Sequence, residues 1–446
     1  MRPAPIAAGL LPLCSALAAC GAGRREAAPG PSPAAGAAAT GAPAASAPAA
    51  SAPAVGAPAA PAPAGAARFA DDLAFLRQHG EVVVLEGPSG GRVAVSPKYQ
   101  GRVMTSAVDE GGPSLGWVHR DFIASGKTGT AFDNYGGEDR FWLGPEAGQY
   151  GLFFAKGKPF SFEAWQTPAA LQEGAWAVAQ RSPRSVAFER AMALSNYAGT
   201  ELRLAVRREV RVLDEGELKA RLGLAPPAGL RWVAFESENR ITNAGREAWA
   251  PARGLPSVWI LGMFAPAPDA RVVVPIDPKG PGPAVRDDYF GKVPSDRLAV
   301  REAEGHLVFV CDGQQRGKIG VGPGRARQAA GSYSPSARLL TVVQLAPPPA
   351  PGRRYVNSLW QRQKDPFDGD VINSYNDGPT GPGKPSLGGF YELETSSPAA
   401  ALKPGESLTH THRTFHFVGD EAVLDPIARQ ALGVPLARVT APLDAR

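Results

Sequence analysis

Three cysteines in 446 residues, at positions 14, 20 and 311, are too few for a disulfide framework. The apolar run over residues 6–19 is too brief to span a bilayer as a helix, and no longer one follows it. A dominant charge is missing as well. The 47 basic and 42 acidic residues leave a net charge of +5 that is spread along the chain. A nucleic-acid surface would need a basic patch interleaved with aromatics, so no nucleic-acid partner is expected. Several nucleotide and nucleophile signatures also fail on inspection. The run Ser125-Gly126-Lys127-Thr128 ends like a phosphate-binding loop, but its first glycine falls on Asp121 and no strand-to-helix unit surrounds it. Lys127-Thr128-Gly129 has no accompanying S-x-x-K or S-D-N. Gly320, Gly322 and Gly324 lack dinucleotide spacing and read as a flexible loop. No cofactor is implied.

What is present begins at the N-terminus. Arg2 supplies a positive start, residues 6–19 a short apolar stretch, and Leu17-Ala18-Ala19-Cys20 reads as a lipobox with Cys20 as the lipid acceptor. Cys14 is a poor competitor because bulky Leu13 precedes it; the alternative is an ordinary secretory signal cut near Ala19. Both readings predict export. Gly21, where an acidic residue would retain the protein at the inner membrane, resembles the pattern of bacterial outer-membrane lipoproteins. Residues 21–67 are almost wholly Ala, Pro, Gly and Ser, with Arg24, Arg25 and Glu26 the only charges. Such a segment cannot bury enough apolar surface to offset its ordering entropy, so it reads as a disordered tether. The expected organisation is a signal peptide over 1–20, a tether over 21–67 and one folded domain over 68–446.

That domain reads as all-β, a large β-sandwich with one short N-terminal helix. Residues 69–78 place Phe69, Leu73 and Leu76 on one side of a helix, with Gly80 as a stop. Beyond it, short runs rich in Val, Leu, Phe and Trp recur between Gly and Pro, at 82–85, 92–95, 186–194, 232–235, 258–263, 271–276, 307–310, 339–345 and 408–418. Residues 87–91 suit a hairpin turn. Along residues 202–213, Arg203, Arg207, Glu209 and Arg211 alternate with Leu204, Val206, Val210 and Val212, giving one wet and one buried face. Cys311, beside Leu307-Val308-Phe309-Val310, reads as a small core residue.

Two stretches carry candidate chemistry. The first runs from Asn134 to Glu146 and packs Glu138, Asp139, Arg140, Trp142 and Glu146 between turn residues. Sugars are bound by this mixture: aromatic faces cover the C–H side of a pyranose while carboxylates and guanidinium bond its hydroxyls. The alternative is a structural turn in which Arg140 pairs with Glu146 and Trp142 fills core. The second stretch is Gly388 to Thr395, where strand alternation puts Glu392 and Glu394 on one face. Opening on a cleft, that face could supply a general base; otherwise it is a solvated surface. Between these, Asn373 to Pro379 with Asn376 and Asp377 reads as a loop, either lining a polar cleft or simply turning the chain.

Leu393-Glu394-Thr395, then Pro398, Leu402 and Pro404-Gly405-Glu406 before a strand ending in aromatics, resembles the C-terminal portion of aldose 1-epimerases, the galactose mutarotase family. The stretch from Gly136 to Glu146 is similar to a pattern in exported bacterial families of unknown function that share the mutarotase-like supersandwich. The resemblance implies that fold over most of the domain, Glu394 as the base that takes the anomeric proton, and Arg140 as a substrate-binding arginine. It also implies an acid histidine after the strand containing Arg240-Ile241-Thr242-Asn243, yet residues 254–266 offer Ser257, Trp259 and Met263 and no histidine. His119 or His306 could substitute only if the fold brought one beside Glu394.

His410, His412 and His416 share one face of a strand at a spacing zinc can use, with Phe415 and Phe417 on the other face. No acidic residue in that strand completes a ligand set, so no metal is expected. The first expectation is therefore an exported, membrane-anchored lipoprotein that binds a carbohydrate without ordinary epimerase activity. A carbohydrate enzyme using Glu394 and a structural envelope lipoprotein are the alternatives.

Overall fold

A computed structural model describes residues 67–129, 131–350 and 352–443. The sequence assignments for residues 1–66, including the lipobox and Cys20, lie outside these residues.

Helix α1 (Phe69–His79) opens the domain and packs Phe69 and Leu76 against a small sheet of β1 (Val83–Glu86), β2 (Arg92–Ser96) and β3 (Arg102–Ala107). The 87–91 turn joins the first two strands, with the Gly87 amide donating to the Gly91 carbonyl at 2.8 Å. After α2 (Arg120–Ser125), β4 (Arg140–Gly144) and α3 (Ala169–Gln172), a meander of β5 (Ala177–Arg181), β6 (Ser185–Ser195) and β7 (Glu201–Val212) leads through α4 (Glu215–Leu222) into β8 (Arg231–Asn243). The chain continues with β9 (Ser257–Phe264), β10 (Arg271–Pro275), β11 (Leu298–Arg301), β12 (His306–Val310), β13 (Gly317–Val321), β14 (Ala329–Ser334) and β15 (Leu339–Ala346). It ends with β16 (Ile372–Asn376), β17 (Tyr391–Ser396), β18 (Ser407–Val418), α5 (Glu421–Leu432) and α6 (Leu436–Thr440).

Two sheets make the sandwich. The larger has ten strands in the order β11-β12-β10-β14-β15-β18-β8-β7-β6-β5, and the smaller five in the order β13-β16-β17-β9-β4. Between them Val206, Val210 and Ile241 of the large sheet meet Phe141 and Ile260 of the small one, and Val272, Leu307 and Val343 meet Ile319, Ile372 and Leu393. Period-two alternation makes this possible, since every second side chain of a strand faces the opposing sheet. The all-β expectation holds.

The sequence reading saw one convincing helix where the described residues form six. Three of them, α4, α5 and α6, cover the outer face of the large sheet, where Leu218, Leu424, Ile427 and Leu436 bury Trp232, Leu340, Phe415 and Phe417. The signal for α4 was present: Asp214 accepts from the Glu217 amide, and the Glu217 carboxylate accepts in return from the Asp214 amide, a capping box. Two loops also need correction. Of the residues expected as a glycine loop, Gly320 lies in strand β13 while Gly322 and Gly324 stay in the turn that follows, and of those expected as a polar turn, Asn373 to Asn376 lie in β16; the two strands pair with Gly320 opposite Asn373. Gly320 is small because a Cβ there would come within 2.2 Å of the Asp370 carboxylate.

Candidate functional site

Strand β17 lies near the middle of the small sheet, between β16 and β9, so its outward residues have neighbours on both sides. Register fixes those neighbours. Glu394 stands opposite Leu261 and Asn373, and Leu261 opposite Arg140. Glu392 stands opposite Met263 and Tyr375, and Tyr375 opposite Lys318. Trp142 stands opposite Trp259. One face of the sheet, turned away from its partner, therefore collects charged and aromatic residues from five strands.

Loops close over this face to leave a narrow pocket, with about 500 Å³ of free space when the open solvent at its mouth is counted. Its walls are aromatic: Trp142, Trp165, Trp259 and Trp360, with Phe132, Phe290, Tyr375 and Phe390. Its charged residues are Arg140, Glu146, Arg316, Lys318 and Glu392. Arg140 donates from Nη2 to Glu392 at 3.1 Å and lies 3.8 Å from the Trp142 ring centroid. Lys318 Nζ donates to Glu394 Oε2 at 2.9 Å, and the Trp259 indole donates to the same oxygen at 2.8 Å. The other oxygen of Glu394 has no partner and is buried, as are Nε and Nη1 of Arg140 and the Trp142 indole nitrogen. A ligand hydroxyl or a water could complete the bonding of such groups.

Burial sets the protonation of the acids. It pushes the Glu392 carboxyl up to about 8, against the pull of Arg140. It also raises Glu146, against Lys318 and the indoles of Trp360 and Trp165. Lys318 is raised in spite of its burial by the carboxylates of Glu394, Glu146 and Glu392 around it. At neutral pH the cavity therefore offers one protonated carboxyl and fixed cations beside aromatic faces.

Of the residues singled out in the sequence, Arg140, Trp142, Glu146 and Glu392 line the cavity. Glu394 is fully buried behind the lining and is joined to it through bonds from Lys318 and Trp259. The pairing considered for Arg140 with Glu146 is replaced by Arg140 with Glu392. Glu138 and Asp139 point elsewhere: Glu138 Oε2 meets His416 Nε2 at 2.8 Å, and Asp139 accepts from Arg208 at 2.7 Å, all four side chains being buried between the sheets. Arg208 is the one charged residue on the inward face of β7, which explains why it interrupts that strand's alternation. Asn376 and Asp377 hold neighbouring loops. Asn376 accepts from the Gly313 amide at 2.9 Å, and the Asp377 carboxylate accepts from the amides of Leu387, Gly388 and Gly389 at 3.3, 3.0 and 2.8 Å.

Neither spare histidine reaches the cavity. The His119 ring packs on Trp117 and bonds the Asn134 carbonyl, and His306 lies on β12 beside Glu304. His410 Nε2 and His412 Nδ1 both bond Thr395 Oγ1, at 2.8 and 2.9 Å, and His416 spans Thr341 and Glu138. Among the described residues no group of three or more His, Cys, Asp or Glu is arranged to hold a metal ion. The sequence reading missed Lys318, Arg316, Trp165, Trp360 and Phe390. Lys318 could have been suspected as a lysine inside a glycine-flanked run, but nothing local announces the others.

A family model described as a family of unknown function (DUF6786) matches residues 67–443. No curated protein matches the chain. Among solved structures, a candidate aldose 1-epimerase from Escherichia coli K12 is 13% identical, covering 75% of this chain and 98% of its own, with a TM-score of 0.45. The Slr1438 protein from Synechocystis is 11% identical over 76% of this chain and 96% of its own, at 0.45. A galactose mutarotase-like protein from Lactobacillus casei is 9% identical over 75% of this chain and 100% of its own, at 0.41.

Proposed function

The chain belongs to the DUF6786 family, and from that premise we propose that its folded domain binds a carbohydrate in the cavity on the outer face of the small sheet. The observation that carries the reading is the joint placement of Trp142, Trp259, Arg140, Glu392 and Lys318 along one wall, aromatic faces beside fixed donors and acceptors. A pyranose needs that combination, an apolar face to lie on and polar groups at its edge. Ordinary aldose epimerisation fits less well, because no histidine lines the cavity and both nitrogen donors near Glu394 converge on one of its oxygens. The lipobox at Cys20 and the Ala/Pro-rich stretch behind it support delivery outside the cytoplasm, on a tether from the membrane, with the outer membrane favoured by Gly21. Membrane attachment through lipid on Cys20 and a sugar ligand are the two partners of this reading.

A second reading has one observation in its favour. Glu394 Oε1 is a buried carboxylate oxygen without a partner, next to the lining residues Lys318 and Trp259, and it would serve as a general base if a sugar hydroxyl reached it. One experiment separates the two. The purified protein is mixed with a panel of aldoses and oligosaccharides, and ligand line-broadening and anomer exchange are followed by NMR. Broadening without exchange is the expected result. Exchange that disappears in Glu394→Gln would make the protein an epimerase, and neither signal would leave a structural role in the envelope.

A further inference from the structure

Arg316 has no acidic partner among the described residues. Its Nε donates to the Tyr375 hydroxyl at 3.3 Å, and its guanidinium carbon lies 3.7 Å from the Phe290 ring centroid and 5.5 Å from that of Phe162. No carboxylate lies within salt-bridge distance of it among the described residues, although it is half-buried at the cavity wall. Aromatic contacts thus orient the guanidinium, and among the described residues its two terminal nitrogens have no hydrogen-bond acceptor. Arg140 repeats the theme deeper in the same cavity: it is only 3% exposed, one nitrogen bonds Glu392, and Nε and Nη1 are buried without a partner.

The carboxylates nearby do not neutralise this: Asp377 lies one hydroxyl away, accepting from Tyr375 at 3.0 Å, and is itself engaged by the backbone amides of Leu387, Gly388 and Gly389. Glu394 is engaged by Lys318, and burial raises both Glu392 and Glu146 toward their uncharged forms. A neutral sugar would leave the guanidinium fork of Arg316 unused, whereas a planar or tetrahedral oxyanion meets both terminal nitrogens at once.

We propose that the cavity is built for an acidic saccharide, one carrying a carboxylate or a sulfate ester, whose anionic group sits on Arg316 while the ring lies against the tryptophans. This rests on the carbohydrate reading above and narrows its ligand class.

The test is calorimetric titration of the whole protein with three length-matched oligosaccharides: neutral, uronic-acid-containing and sulfated. Expected is at least tenfold tighter binding of one acidic ligand than of the neutral one, with the preference shrinking as salt rises. The acidic ligand that wins identifies the oxyanion. In Arg316→Gln the acidic-to-neutral ratio should collapse toward one, and in Arg316→Lys, which keeps the charge and loses the fork, it should fall part of the way. Equal affinity of wild-type protein for acidic and neutral ligands would overturn the proposal and leave the carbohydrate reading standing. Binding of none of the three would overturn both.

Discussion

Lys318 and Glu394 form a buried ion pair, Nζ to Oε2 at 2.9 Å, although they lie on strands that are not neighbours, β13 and β17, with β16 between them. Both side chains are almost wholly removed from water. A pair of this kind constrains the site more than it stabilises the fold, because desolvation of the two charges offsets much of their attraction. Removing one partner is a different matter. Lys318→Met should cost about 3–5 kcal/mol by leaving an uncompensated carboxylate. Lys318→Met combined with Glu394→Gln should recover a large part of the loss. Urea unfolding of the two variants checks this; equal losses in both would show that the ion pair is not what the single variant disrupts.

Glu392 makes stability depend on pH in a definite direction. Its carboxyl titrates near 4.5 when unfolded and is raised to about 8 in the fold by burial. Between those values the unfolded chain has released a proton that the folded chain keeps, so this group's contribution to stability is intact below about 4.5 and is lost as pH rises toward 8. Glu392→Gln, which cannot ionise, should gain stability relative to wild type between pH 5 and pH 8. Parallel pH profiles for the two proteins would contradict the assignment.

Two histidines of β18, His410 and His412, act in the opposite sense. Burial lowers His410 to about 3 and His412 to about 4 from the usual 6.5. The unfolded state therefore takes up protons below pH 6.5 that the folded state refuses, and stability contributed by the neutral rings is lost as pH falls toward 4. Stability should decline over that interval in wild type and less steeply in His412→Gln, as unfolding curves at pH 7, 5.5 and 4.5 would reveal.

Thr395 links those rings to the strand of the site. A hydroxyl can donate to one histidine and accept from the other, which fixes complementary tautomers in the two neutral rings. His412 Nε2 has no partner, so the economical arrangement puts the His412 proton on Nδ1, donating to Thr395, while Thr395 donates to His410 Nε2. Thr395→Val keeps the shape and removes both bonds, and should cost about 1–3 kcal/mol. Imidazole nitrogen shifts in the wild-type protein would read the tautomers directly; an Nε2–H form of His412 would refute the arrangement.

Asp377 ties down the segment that bears Leu387 and Phe390, two cavity residues, by accepting three backbone amides and the Tyr375 hydroxyl. Asp377→Asn halves the acceptors and adds two donors where only donors face it. Proteolysis within residues 378–389 should become faster than in wild type under native conditions. Unchanged cleavage would mean that the contacts of Asn134 with Leu387 and of Lys384 with Glu163 suffice to hold the segment.

Local pattern carried far in this chain. Alternation and turn residues placed β6, β9, β12, β15 and β18 within a few residues, because burial of one strand face is written every second position, whereas β8 runs eight residues beyond the end expected for it. Helix α1 was legible from its periodicity, while α5 was obscured by Pro426 inside it. The all-β class followed from these runs, and Arg140, Trp142 and Glu146 were legible as one cluster of composition, with Glu392 marked separately on its own strand. Pattern could not tell which acids turn into the cavity. Glu138 and Asp139 lie in the same short stretch as Arg140, yet they end between the sheets, because what decides their direction is the presence of His416 and Arg208 on the opposing sheet. Lys318 and Arg316 joined the site only through register across β13, β16 and β17, a long-range pairing over some 76 residues from Lys318 to Glu394. The sequence by itself determined the alternating strands and part of the charged and aromatic stock of the cavity; the tertiary structure alone decided which charges pair and which are left facing the cavity, since that depends on side chains distant in sequence meeting where water is excluded.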